Sequence, residues 1–232
     1  MSQKRAYKTA SVEPSQNGFG VFLDKRQVRT PKRNPLVVPT RPLAEALCEE
    51  WEAQTEQIAP ATMPLNRLVY SSIDLIREQH VIVASELATY GQTDLLCYRA
   101  EGPEELMRRQ SEGWQPWLDW AADNLGCRLV STHGVTAIRQ DVAVLEKLKQ
   151  EVLAHDSFRL AGLHQAVTLT GSLVLGLALS RGALDAAQAM ALAQIDERFQ
   201  IERWGEDAAA AARLRRMAQE LLAVERYFGL LA

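Results

Sequence analysis

The spacing of the apolar residues changes at Pro39, and this change constrains the fold more than any other feature of the sequence. Before it, apolar residues alternate with polar ones in short runs broken by turn formers, the pattern of small strands with one buried face. Residues 7–12, 19–23, 27–30 and 36–38 are the expected strands. In the second, Phe19, Val21 and Leu23 point one way, and Asp24-Lys25-Arg26 turns the chain into the third as a hairpin. Lys25 stands where glycine would turn more easily. After Pro39 the period is near four: Leu43, Leu47, Trp51 and Ile58 share a helical face, with Thr40 as cap and Pro42 in the first turn.

The remainder reads as mainly helical. Pro60 and Pro64 punctuate a connection into a long amphipathic segment from Asn66 to Tyr90, carrying Leu68, Ile73, Ile76 and Leu87. Pro103 opens a helix that runs to about Leu125. Residues 127–131 and 135–139 flank Thr132-His133-Gly134 like a second hairpin, which would join the N-terminal sheet. Residues 141–155, 157–180 and 185 onward read as three helices. The expected fold is α+β: a small β-rich N-terminal domain over residues 1–60, then a larger multihelical domain over 61–232.

Composition excludes several classes of function. The chain is 47% apolar and 24% charged, as globular proteins are. Its net charge of -3, with no run of like charges, offers no footprint for nucleic acid. Cys48, Cys97 and Cys127 are far apart, without a CxxC pair, which argues against disulfides or zinc and for a reducing, cytoplasmic setting. The N-terminus lacks the apolar stretch of a secretory signal. The most apolar run, Val167 to Leu179, is 13 residues long and too short to cross a bilayer, so a buried helix is expected there.

A search for chemistry finds little. Neither GxGxxG nor GxxxxGK[ST] occurs, so no phosphate cradle is expected; GxSxG is absent too. His80, His133, His155 and His164 fall at separate helical and turn positions, where capping, surface or core roles account for them. Glu49 with Glu50, and Glu104 with Glu105, point about 100° apart on a helix, which suits solvated faces. Trp114, Trp117 and Trp120 recur every third residue, a pattern of core packing or of a partner-facing patch.

Near the C-terminal end a helical wheel is more informative. Leu192, Ile195 and Phe199 form one apolar stripe; Leu214, Met217, Leu221, Val224 and Phe228 form another nearly in phase, as if on one long helix. Between them the same face carries Glu202, Arg203, Glu206 and Arg213, next to Gly205. Gly205 either ends one helix, with Glu206 and Asp207 starting the next, or the acids line a groove that faces another molecule.

Several ordered segments resemble the assembly chaperones of F-type ATP synthase, the family that holds the free alpha subunit of the catalytic head before it pairs with beta. They are Leu23-Asp24-Lys25-Arg26 with Thr30-Pro31, Leu43-Ala44, Glu50-Trp51-Glu52-Ala53-Gln54, Met63-Pro64-Leu65-Asn66-Arg67-Leu68 and Ile73-Asp74. Tyr90-Gly91-Gln92-Thr93-Asp94-Leu95-Leu96-Cys97-Tyr98-Arg99, then Gln110 with Trp114 and Pro116, and Trp204-Gly205-Glu206-Asp207 complete the set. Together they span nearly the whole chain, with Lys25 departing from the usual glycine.

The resemblance implies no cofactor, no catalysis and a bacterial cytoplasmic protein that covers the beta-facing surface of alpha. It implies a client-binding role for Glu206, with Asp207, Trp204 and Glu202 beside it, and structural roles for Trp51, Gln54, Arg67, Asp74, Asp94 and Arg99. Two alternatives stand beside it. One is an enzyme built on Asp74, Asp94 and Arg99, which equally suit a buried ion-pair network. The other is a permanent subunit of a finished complex.

Overall fold

Gln16-Asn17 make the first turn. Strand β1 (Ala10–Ser15) lies antiparallel to β2 (Gly18–Leu23), Ser15 facing Gly18 and Ala10 facing Leu23. The first strand therefore starts three residues later than its alternation suggests. The computed structural model describes residues 4–134 and 136–232. Asp24-Lys25 then closes the expected hairpin to β3 (Arg26–Gln27), and β4 (Val37–Val38) pairs with β2 further along the same edge. The left-handed backbone of that turn falls on Asp24 (φ 53°), not on Lys25, so glycine is not required at 25. The Asp24 carboxylate accepts from the backbone N–H of Lys8 (3.0 Å) and Thr9 (3.1 Å), and these bonds hold its carboxyl below the usual range.

Helix α1 (Arg41–Glu52) starts as its sequence suggests: Thr40 Oγ1 accepts from Leu43 N–H, and Pro42 sits in the first turn. Leu43, Leu47 and Trp51 are buried, but Ile58 lies beyond the helix end. The segment expected as one helix from Asn66 to Tyr90 is divided. Helix α2 (Pro64–Ser71) passes through a π-helical turn, Ser72–Ile76, into α3 (Arg77–Ala88), where Gln79 departs from helical geometry (φ -120°, ψ 27°). Short 3₁₀ turns at Thr89–Gln92 and Leu95–Cys97 lead to β5 (Tyr98–Arg99) and then α4 (Glu104–Leu125), begun by Pro103 as expected.

The second expected hairpin does not form among the described residues; Val135, the first residue of its expected second strand, lies outside them. Instead β6 (Thr132–His133) pairs parallel with β5, apart from the N-terminal sheet. The Gln140 side chain occupies Val130 where a partner strand would: Val130 N–H donates to Gln140 Oε1 (3.0 Å), and Gln140 Nε2 donates to Val130 O (2.8 Å).

Asp141 caps α5 (Val142–Leu153). The apolar run expected as one buried helix is two, α6 (Ser157–Thr170) and α7 (Leu173–Ser180), because Gly171 turns left-handed (φ 71°) and Ser172 caps the second. No helix among the described residues is long and apolar enough to cross a membrane.

Two compact units result. One takes the chain up to His80 with Asp156–Gly162 and Arg226–Ala232; the other takes Val81–His155 with Leu163–Glu225. The first unit includes α2, which is bound to α1 through Glu50, Trp51 and Asn66.

Candidate partner-binding site

Asp185 and Gln188 form a capping box on α8 (Ala186–Ala193), and Gln194 leads into α9 (Ile195–Trp204). Gly205 ends α9 at φ 87°, ψ 164°, a conformation essentially reserved for glycine. Asp207 Oδ2 then accepts from Ala210 N–H (3.0 Å) at the start of α10 (Ala208–Leu230). The first apolar stripe is therefore divided between α8 (Leu192) and α9 (Ile195, Phe199), the second lies on α10, and of the two acids it is Asp207 that starts α10.

The junction exposes Trp204, 75% accessible, and Glu206, which has no hydrogen bond or ion pair among the described residues. Glu202, one turn back, is bound by Arg109 (2.8 Å). Arg109 and Arg203 both lie over the buried Phe199 ring, at 5.5 and 4.9 Å from its centroid. Between α9 and α10 runs an open groove of about 430 Å³, walled by Arg198, Glu202, Glu206 and Arg215 over Ile201 and Leu214.

The remaining motif residues support the fold locally. Helix α2 begins at Pro64 without a side-chain cap of its own, and Glu50 supplies one from α1. Its carboxylate accepts from Leu65 N–H (2.8 Å), Asn66 N–H (2.9 Å) and Asn66 Nδ2 (2.8 Å). Burial pushes the Glu50 carboxyl upward, and these donors offset part of the rise. Glu50 is thus buried and structural, not a solvated acid like Glu49. Adjacency in sequence carried no sign of this; the signal was the uncapped Met63-Pro64 helix start.

Trp51 Nε1 donates to Asn66 Oδ1 (3.0 Å). Gln54 Nε2 donates to Glu50 O (2.9 Å), and its Oε1 accepts from Ala59 N–H (2.8 Å), which holds the following turn. Arg67 is exposed on α2. Asp74 accepts from Thr30 Oγ1 (2.5 Å), Lys32 N–H (2.9 Å) and Asn34 Nδ2 (2.9 Å), which ties the π-helical turn to the loop between β3 and β4. Asp94, fully buried, accepts from Ser172 Oγ (2.8 Å), Val174 N–H (3.1 Å) and Leu96 N–H (3.1 Å), capping α7 from a distance. Burial pushes its carboxyl upward against those donors.

Arg99 Nη2 donates to Gln115 Oε1 (2.7 Å). The proposed network of Asp74, Asp94 and Arg99 does not assemble: each is bound to neutral groups, and Asp74 belongs to a different unit from the other two. Trp114 is buried and donates to Leu192 O (2.9 Å), while Trp117 and Trp120 are half-buried against each other. All three cysteines are free and buried; burial pushes Cys48 to about 11 and Cys97 to about 12, so neither is a ready thiolate. No group of three metal-capable side chains occurs among the described residues.

The junction thus presents an exposed tryptophan and an unpaired acid, in a chain whose embedded acids cap backbone. The model of the ATP12 chaperone protein family matches residues 4–122. The chain belongs to that family, one of ATP synthase assembly chaperones and not of enzymes. Atp12 of Paracoccus denitrificans has a crystal structure similar to this one at a TM-score of 0.95, with 46% identity, covering 99% of this chain and 98% of that one. A candidate chaperone of Agrobacterium tumefaciens matches at a TM-score of 0.95 with 37% identity, over 100% of this chain and 87% of its own. The mitochondrial atp12 protein of Schizosaccharomyces pombe is 25% identical over 216 residues, 88% of this chain and 74% of that protein.

Proposed function

We propose that the chain holds the free alpha subunit of the ATP synthase catalytic head, covering the surface that beta later occupies, in a reducing cytoplasm. A subunit waiting for its obligate partner exposes a large apolar surface that aggregates unless covered. The observation that carries the reading is the junction of α9 and α10, where Trp204 stands exposed beside the unpaired Glu206. Trp204 supplies an aromatic anchor and Glu206 a charge to orient it. Glu202 shapes the same face through Arg109, and Asp207 contributes by setting the direction of α10.

Light scattering by free alpha subunit in the presence of the purified chain tests this. Glu206→Ala and Trp204→Ser make no core cavity, so each is expected to keep stability within about 0.5 kcal/mol of the unmodified chain. Both are expected to lose suppression of alpha aggregation. Full suppression by both variants would remove the binding role from this junction. Capture of the intact catalytic head as readily as free alpha would overturn the covering of the beta-facing surface.

A further inference from the structure

Gln194, the residue before α9, is only 6% exposed, and its side-chain Nε2 is buried with no hydrogen-bond partner. Buried amides in folded proteins are almost always paired, so an orphan one marks a place where a partner belongs. It lines the groove between α9 and α10. Two further groups in that groove are uncommitted: among the described residues neither Arg198 nor Arg215 is in an ion pair, whereas Arg109 and Arg213 are taken by Glu202 and Glu197. With Glu202 neutralised, two cations face the single charge of Glu206. The floor between them, Ile201, Leu214 and Ala218, is aliphatic.

We infer that this groove receives an acidic side chain from a segment of the client polypeptide. The methylenes lie on Ile201 and Leu214, the carboxylate accepts from Arg198 and Arg215, and the Gln194 side chain turns so that its amide, closed to solvent as it stands, donates to it as well. A polypeptide suits the site better than a small molecule because the groove is open and its lining includes the exposed Glu206, two residues from the exposed Trp204. The inference rests on the client-binding reading of the α9–α10 face and adds the chemistry of what enters it. It also separates the two signs of charge: Glu206 meets a basic or polar group at the rim, and the arginines an acid within.

The probe is an array of overlapping peptides covering the alpha and beta subunits of the catalytic head, with each acidic residue also replaced by its amide. The full chain is applied as such, as Gln194→Met, and as the double reversal Arg198→Glu with Arg215→Glu. Both arginines are exposed, so the reversal is expected to keep the thermal midpoint. Bound peptides are expected to contain a glutamate or aspartate whose amide replacement weakens binding at least about tenfold, the scale of a hydrogen bond to a charged group. The double reversal is expected to lose the same peptides to the same extent, and Gln194→Met to weaken them. Binding indifferent to amide replacement, or a double reversal that binds like the unmodified chain, overturns the inference, as does an array on which nothing binds. Acid-dependent binding confined to beta peptides would instead overturn the choice of alpha as client while leaving the groove's chemistry in place.

Discussion

Three donors converge on Asp74, from Thr30, Lys32 and Asn34, and all of them belong to a loop some forty residues earlier in the chain. Burial alone would push this carboxyl up, but the donors outweigh it and hold it below its ordinary value near 3.8. A depressed carboxyl adds stability that is fully present above the unfolded value and is lost as pH falls through the folded one. Stability of the unmodified chain is therefore expected to fall on acidification below about pH 4, with part of the slope due to Asp74. Asp74→Asn presents donors where an acceptor is needed. It is expected to cost about 2 to 3 kcal/mol at neutral pH, with a shallower loss of stability in acid, as urea titrations across pH would measure. Glu50 and Asp94 have the opposite sign, since their folded carboxyls are raised, so they favour the folded state more as pH falls and cannot produce that slope.

Between α9 and α10 the whole change of direction rests on Gly205. Nothing lies within 4 Å of where its Cβ would be, so Gly205→Ala meets no clash and only the backbone conformation opposes it. That strain is expected to cost about 1 to 3 kcal/mol, or to be relieved by re-aiming Trp204 and Glu206. Amide exchange over residues 201–210 distinguishes the outcomes, since a relieved junction exchanges faster at unchanged midpoint. Elements of this kind were partly legible. Thr40, Pro42 and the four-residue spacing gave α1, and Gly205 with Asp207 gave a helix boundary as one of two readings, because local caps announce themselves in sequence. What was not legible is capping from afar: Glu50 caps α2, which has no side-chain cap of its own, and Asp94 adds to the Ser172 cap of α7 by accepting from Val174 N–H. The parallel pair β5 and β6 was missed for a related reason, as strands of two residues are too short to alternate. At the site, Glu206 was visible through the polar break in an apolar stripe and Trp204 through the family motif, but Gln194 was not, because only the packed groove leaves its amide dry.

At the scale of the whole chain, the first unit is discontinuous. Residues up to His80 are joined by Asp156–Gly162 and Arg226–Ala232. Tyr227 is fully buried, and a Cβ on Gly162 would lie 2.7 Å from Phe228, so these helix ends pack tightly into the unit. Thr40 Oγ1 donates to Leu230 O (2.5 Å), and Glu49 pairs with Arg226 (2.6 Å). A fragment of residues 1–80 is therefore expected to show no cooperative thermal transition, and truncation after Glu225 to lower the midpoint of the long chain. Calorimetry checks both, and a sharp transition in the short fragment would show that the N-terminal residues suffice. The same discontinuity bears on synthesis. A ribosome adding 5 to 20 residues per second delivers Arg226 roughly 7 to 30 s after His80. Throughout that interval Thr40 and Glu49 are outside without Leu230 and Arg226, their partners in the folded chain, so the first unit of this chaperone stays incomplete until the last residues of the chain are made.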